Sequence, residues 1–321
     1  MSRRAFVGWS LILILGAPVV VDGDDKLPDP GMTKSRKVID TSHYCEGVVF
    51  DHDGNGYASV CDGKTIVKFT LDGKAHPWAV TGAPNGHKVL ADGTHLVCDA
   101  SQHAVLHLSA RGEMLPHAAD RCNGKPLRGP NDLSLDLPHG GFYFTDPFFS
   151  SDVNPIGTLH YVDAKGVVTE LDRELAFPNG VVLRPDGKEL LMAESKKNRV
   201  LAYDVLGPGK VGNRREFARL PAKDEAAGQI DNQPDGMCLD ADGRLYVAHY
   251  GMKQVQVLDR QGKLVAQFDG GNVTTSNVAF GGPNMDQLFV TGGLGIEKGP
   301  GAVFRLDLGV KGLVILPKKN R

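Results

Sequence analysis

Pro178-Asn179-Gly180-Val181-Val182-Leu183-Arg184-Pro185-Asp186-Gly187-Lys188-Glu189-Leu190-Leu191-Met192-Ala193 is the stretch from which the fold is read. It sets out, in order, a polar pivot, a short apolar run, an Asp-Gly turn and a second apolar run. Glycine beside Asp supplies the positive φ that a hairpin needs, so the two runs are expected to pair as antiparallel strands. A third run, Val200-Leu201-Ala202-Tyr203, follows. Runs of this type alternate apolar with polar residues elsewhere in the chain, as in Val67-Lys68-Phe69 and Val255-Gln256-Val257-Leu258, the period of half-buried strands.

The same order of events recurs on both sides. The pivots are Glu46-Gly47, Pro84-Asn85-Gly86, Pro130-Asn131-Asp132, Pro178-Asn179-Gly180, Pro234-Asp235-Gly236 and Ser276-Asn277, spaced 39 to 56 residues apart. Each leads into an apolar run, and nearly all of these into a glycine turn such as Asp53-Gly54, Asp92-Gly93, Gly140-Gly141 or Asp242-Gly243. One four-stranded propeller blade takes roughly 40 to 50 residues. Six units predict an all-β chain: a six-bladed β-propeller with four-stranded antiparallel blades. Lys37-Val38-Ile39 is expected to close the ring by pairing with the last blade near Leu313 to Leu316.

In a propeller the innermost strands all run in one direction, so residues just before them gather at one mouth of the central channel. The pivots there offer Glu46, Asn85, Asn131, Asn179, Asp235 and Asn277, all oxygen donors, which suit Ca²⁺, Mg²⁺ or Mn²⁺ better than a soft metal. The second strands return to the same mouth and bring Asp62, Asp99, Asp146, Glu194, His249 and Thr291 as an outer ring. Any single pivot also reads as ordinary turn chemistry. Against that, Glu46 is a poor turn former, and every one of the six pivots carries a carboxylate or an amide.

Composition excludes several classes. With 36 Lys+Arg against 38 Asp+Glu and no extended basic run, the chain has no electrostatic footprint for nucleic acid. No Gly-x-Ser-x-Gly elbow or phosphate-binding glycine loop is present, and a histidine-ligated metal site is not expected. The five cysteines lack metal-clasp spacing and read as buried small hydrophobes more readily than as a disulfide. Arg3-Arg4, the apolar stretch Ala5 to Val21 and the acidic exit Asp22-Gly23-Asp24-Asp25 describe a signal peptide over residues 1–23. Residues 24–37 are expected as a linker and 38–321 as the propeller. The expected location is therefore periplasmic or secreted, with an uncleaved N-terminal anchor as the alternative membrane association.

The stretches Glu46-Gly47-Val48-Val49-Phe50-Asp51, Gly129-Pro130-Asn131-Asp132, Gly141-Phe142-Tyr143-Phe144-Thr145-Asp146-Pro147, Phe177-Pro178-Asn179-Gly180 and Pro234-Asp235-Gly236-Met237-Cys238 resemble the family of regucalcin (senescence marker protein), gluconolactonase and bacterial lactonases. Diisopropylfluorophosphatase is a more distant relative. The resemblance implies a metal-dependent hydrolase that opens a small lactone, with one divalent metal held on Glu46, Asn131, Asn179 and Asp235. Calcium is preferred from oxygen-only ligation, with zinc, magnesium or manganese as alternatives. It leaves Asn85 and Asn277 as turn or wall residues. The regucalcin branch carries an Arg where this chain has Gly129, and the motifs here are closer to those of the bacterial lactonases.

Hydrolysis at such a site needs a positioned base. Asp132, beside Asn131, is the first candidate, with Asp235 the alternative and Asp146 the third; a turn-capping role competes for Asp132. Asn131, Asp146 and His249 are the expected substrate contacts, a plain wall histidine being the competing reading of His249. The alternatives of another class are a phosphotriesterase-like hydrolase and a non-enzymatic, exported calcium-binding propeller.

Overall fold

The computed structural model describes residues 26–223, 232–295 and 299–316. The expected signal peptide lies outside the described residues. Apart from one short turn of helix at Ser195–Lys197, the described secondary structure is β.

The strands form six radial blades, as the repeat predicts. Blade 1 orders Cys45–Phe50, Gly56–Val60, Thr65–Phe69 and Ala75–Val80 from the axis outward. Blade 3 (Leu133–Asp136, Gly141–Asp146, Gly157–Val162, Val168–Leu175) and blade 4 (Pro178–Leu183, Glu189–Glu194, Arg199–Gly207, Lys210–Arg219) repeat that order. Blade 5 does the same with Gln233–Leu239, Leu245–Tyr250, Gln254–Leu258 and Leu264–Asp269. Blade 2 has three strands, Pro84–Val89, His95–Asp99 and Ala104–Leu108, and its outer edge is finished by isolated bridges from Met114 and Ala119.

Blade 6 closes the ring. Its inner strands, Thr274–Gly281, Gln287–Gly293 and Gly301–Asp307, are joined on the outside by the N-terminal strand Arg36–Thr41. Lys37 lies opposite Phe304, and Ile39 opposite Val303. The closing strand is therefore the one expected, but its partner is the third strand of blade 6 and not Leu313 to Leu316. That tail instead crosses the far mouth of the channel. Leu313 N–H donates to the Leu239 carbonyl of blade 5, and Leu316 packs on the core between blades 1 and 2. The expected linker boundary at 37 falls inside the closing strand, since Arg36 is already paired with Arg305.

The core is six separate wedges, one between each pair of neighbouring blades. Phe142, Phe144 and Val162 of blade 3 pack toward blade 2, while Tyr143, Leu159 and Tyr161 pack toward blade 4. Successive side chains on a strand point to opposite faces, so each strand feeds two cores. This explains why the second strands read as unbroken apolar runs, whereas a sheet with one wet face would alternate. At the far mouth the hairpins are tied by Asp side chains. Asp51 accepts from Asp53 and Asn55 N–H at 2.9 Å each, and from the Tyr57 hydroxyl at 2.9 Å.

Candidate functional site

In five blades the pivots lie inside the innermost strands, and in blade 3 Asn131 comes just before its strand, Leu133–Asp136. In blades 1, 2, 4, 5 and 6 the ladder between first and second strands slips at the pivot, between Glu46 and Val48, Pro84 and His87, Pro178 and Val181, Pro234 and Met237, and Thr275 and Asn277. Such bulges place one extra residue against the partner strand and re-aim the neighbouring side chain. The pivots are therefore neither free turns nor regular strand.

The residue after the pivot sets how closely blades approach. A Cβ on Gly47 would stand 2.2 Å from the Asn85 carbonyl oxygen, and one on Gly180 would stand 2.2 Å from the Asp235 carbonyl oxygen. A Cβ on Gly86 would meet Asp132 Oδ1 at 2.4 Å, and one on Gly236 would meet the Asn277 side chain at 2.3 Å. Thr145 of blade 3 donates its hydroxyl to the Asn179 carbonyl at 2.9 Å, and Ser276 of blade 6 donates to the Cys45 carbonyl at 2.7 Å. Pivot touches pivot around a closed ring.

This ring brings together Glu46, Asn131, Asn179 and Asp235, with Asn85 between the first two. It corrects the frame in blade 6. Counted back from the apolar run, Ser276 holds the pivot place and Asn277 the place that glycine takes in blades 1, 2, 4 and 5. Asn277 folds its Oδ1 onto its neighbour Val278 N–H at 2.9 Å. Asp132 occupies the equivalent place in blade 3 and makes the same bond, accepting from Leu133 N–H at 2.8 Å.

Two further side chains join the carboxylates. The Tyr44 hydroxyl donates to Glu46 Oε1 at 2.5 Å, and the Tyr44 ring meets Tyr250 edge-on at 6.4 Å. Burial first, then Glu46 and Asp235, push the Tyr44 phenol well above its ordinary value. Burial and the same two carboxylates, Glu46 the nearer in effect, do likewise to the Cys61 thiol. Cys61 stays a protonated thiol that donates to the Pro84 carbonyl at 2.9 Å. Tyr44 lies just before the strand Cys45–Phe50, two residues from Glu46, and that closeness in sequence was its readable signal.

Among the described residues no three His, Cys, Asp or Glu side chains come together at metal spacing. The pivot ring escapes that description because half of its donors are amides. Asn131 Oδ1 is buried and accepts no hydrogen bond, although a buried carbonyl oxygen of this kind ordinarily has a partner. Two carboxylates and two amides, one of them with an orphaned oxygen, fit a hard divalent cation.

The outer ring has a different job. Asp146 Oδ1 accepts from Gly129 N–H at 2.7 Å and its Oδ2 from Arg128 N–H at 2.9 Å. Asp99 binds Gly82 and Ala83 N–H at 2.7 and 2.9 Å, and Glu194 binds Ala176 N–H at 2.9 Å. Each carboxylate grips the backbone that enters its own blade, which fixes the pivot two or three residues on. Asp62 is exposed. His249 is fully buried, with Nε2 on Asn198 Oδ1 at 3.0 Å and Nδ1 on the Gln256 amide at 3.1 Å. Burial lowers it to about 4, so it is a neutral wall residue with both ring nitrogens engaged.

Asp132 is 2 % exposed, and burial raises its carboxyl while Lys88 opposes the rise. Lys88 Nζ stands 4.0 Å from Asp132 Oδ1. The same Lys88 lines a cavity of about 610 Å³ at the far mouth, walled by Val48, Val181, Met237 and Val278 and crossed by Leu313 to Leu316. That cavity is mainly apolar and sits at the opposite end of the channel from the donor ring, so its size does not make it the site of the chemistry.

The family described as SMP-30/Gluconolactonase/LRE-like region matches residues 46–293. Lactonase drp35 of Staphylococcus haemolyticus is 29% identical over 268 residues, covering 79% of either chain. Diisopropyl-fluorophosphatase of Loligo vulgaris is 26% identical over 252 residues, covering 70% of this chain and 78% of its own. Among solved structures, a gluconolactonase of Xanthomonas campestris superposes with a TM-score of 0.73 at 24% identity, covering 87% of this chain and 91% of that one. The match over 46–293 takes in every pivot and all six innermost strands, and the chain belongs to the SMP-30/gluconolactonase/LRE-like family.

Proposed function

We propose that the chain is a metal-dependent hydrolase that opens a small lactone at the near mouth of its channel. The observation that carries the reading is the closed ring of oxygen donors, Glu46, Asn131, Asn179 and Asp235, with Asn131 Oδ1 buried and accepting no hydrogen bond. A relative named as a lactonase over 79% of both chains supports the same class of reaction.

Glu46, Asn131, Asn179 and Asp235 would hold the cation, calcium foremost because every donor is a hard oxygen. When bound, it polarises the ester carbonyl and makes water easier to deprotonate. Asp132 is the general base, buried beside Asn131 and paired with Lys88 at 4.0 Å. It takes the proton of the attacking water at its carboxylate, which also accepts from the Leu133 and Val181 N–H groups. Asp235 is the alternative base, since a ligand carboxylate can accept the proton itself. Tyr44 fixes Glu46, and Asp146 fixes Gly129 to Asn131 at the edge of the substrate space.

The test is hydrolysis of aldonolactones, alkyl lactones and aryl phosphotriesters before and after chelation. Lactone turnover lost on chelation and restored by Ca²⁺ is expected; turnover indifferent to chelation sinks the reading. Phosphotriester hydrolysis is the second reading, supported by the likeness to a diisopropyl-fluorophosphatase. Arg3-Arg4 and the apolar run to Val21 further support export. Cell fractionation tests this, and a cytoplasmic, full-length product would refute it.

A further inference from the structure

We propose that the near mouth selects lactones carrying an apolar substituent, through an aromatic wall built by Phe148, Phe149 and Phe177. The inference rests on the reading of the site as a lactone hydrolase and goes beyond it by naming the substituent.

The wall belongs to the loop between Asp146 and Gly157, which leaves the second strand of blade 3 at the donor-ring mouth. The Phe148 and Phe149 rings lie 3.9 Å apart, and Phe149 is 78% exposed. Val153 and Ile156 on the same loop are exposed as well. Large apolar side chains gathered at a mouth mark a binding surface more often than a scattered few do.

Phe148 fills the approach to the pivot. A Cβ on Gly129 would stand 3.0 Å from the Phe148 ring, so no larger side chain shares that space while Phe148 stays in place. Two residues before Asn131, the surface presented is therefore an aromatic ring and not a hydrogen-bonding side chain.

The backbone is held out of its preferred conformation to make this surface. Phe149 has φ 59° and Phe177 has φ 60°, the left-handed region that bulky residues avoid. Ser150 holds both segments: its hydroxyl donates to the Leu175 carbonyl at 2.5 Å and accepts from Gly157 N–H at 3.0 Å and Phe177 N–H at 3.3 Å. Strain of this kind persists only where the surroundings over-determine it, and it clusters at ligand sites. Phe177 directly precedes Pro178-Asn179, so the wall spans the entrances of blades 3 and 4.

The experiment compares kcat/KM for three lactones of one ring size: γ-nonalactone with its pentyl chain, unsubstituted γ-butyrolactone and a polyhydroxylated γ-lactone. A preference of roughly 10-fold or more for the pentyl lactone over the unsubstituted ring is expected, the scale of an apolar pocket contact. Phe149→Ala and Phe148→Ala should remove that preference, lowering kcat/KM for the pentyl lactone by a larger factor than for γ-butyrolactone. Preference for the hydroxylated lactone, or equal losses on both other lactones, overturns the proposal. Calorimetric titration with 5-pentyl-2-pyrrolidinone and with unsubstituted 2-pyrrolidinone separates the two readings. If no lactone is turned over but the pentyl lactam binds the more tightly and loses that advantage in Phe149→Ala, the hydrolase reading fails and the wall stands. No difference between the lactams overturns the wall.

Discussion

The Tyr44 hydroxyl donates to Glu46 Oε1 at 2.5 Å from a buried ring, two residues upstream and just before the innermost strand of blade 1. A carboxylate anchored at one oxygen keeps its orientation, which the proposed role of Glu46 as a cation ligand requires. Loss of such an outer partner typically weakens metal binding by about 10- to 100-fold. Tyr44→Phe is therefore expected to weaken Ca²⁺ binding by that range in a calorimetric titration, with the circular dichroism of the β-fold unchanged. Unaltered affinity would show that Tyr44 is only packing.

Gly180 is a point of close approach between blades 4 and 5. A Cβ there meets the Asp235 carbonyl oxygen at 2.2 Å, and backbone cannot swing aside as a side chain can. Gly180→Ala is expected to destabilise the fold by about 1–3 kcal/mol, the cost of overpacking, and to weaken divalent-cation binding in the same protein. Gly295→Ala, where nothing lies within 4 Å, is the neutral control. Thermal unfolding of the two variants checks the contrast.

The parts of this architecture that the chain spells out are those set by strand period and turn chemistry. Pivot, apolar run and Asp-Gly turn recur because each blade must bury two faces and reverse between antiparallel strands, so six blades were legible. What escaped depends on contacts remote in sequence. The partner of Ile39 is Val303, and nothing near Ile39 distinguishes that strand from the tail at Leu313. The bulges escaped because Asn179-Gly180 and Asp235-Gly236 carry the same residues as a turn. Asn277 was misframed by one residue for a related reason: an amide in the glycine place looks like an amide at the pivot. The outer carboxylates were found as a ring, but their backbone partners Gly129, Gly82 and Ala176 are visible only in three dimensions.

Acid should destabilise the protein through its buried histidines. Burial holds His95 and His160 at about 4, against about 6.5 for an exposed histidine. Both are neutral in the folded chain at pH 5, and each takes up a proton on unfolding. The unfolded state then binds more protons between roughly pH 6.5 and 4, so stability falls as the pH falls through that window, by at most about 1 kcal/mol per pH unit for each histidine. Urea unfolding at pH 7, 6 and 5 should trace the decline. His160→Gln, which can keep the bond to Thr158 without titrating, should make it shallower; an unchanged slope would show that His160 is not a contributor.

Ring closure predicts an outsized effect for a short N-terminal strand. Ile39 is 5% exposed and packs with Val48, Phe50 and Phe289 in the wedge between blades 6 and 1. Ile39→Ala is expected to cost about 2–5 kcal/mol, as for other large-to-small changes in a core. Because this wedge joins the first and last blades, the loss should appear as a single cooperative unfolding at lower denaturant. A separate early transition confined to blade 6 would show that the ring opens before it melts.

Asp132→Asn separates the two roles open to that residue. The amide oxygen of Asn can still accept from Leu133 N–H, the bond Asp132 makes at 2.8 Å, so a purely structural cap survives the change. The amide cannot take a proton, so a general base does not survive it. If Asp132 is the base, kcat for lactone hydrolysis falls by about 10²- to 10⁴-fold while Ca²⁺ affinity and thermal stability stay close to those of the parent. Asp235→Asn should differ, because it removes a ligand charge and loses affinity and turnover together. Should Asp132→Asn retain full turnover while Asp235→Asn retains cation binding but not turnover, the proton acceptor is Asp235, and Asp132 only caps the strand beside it.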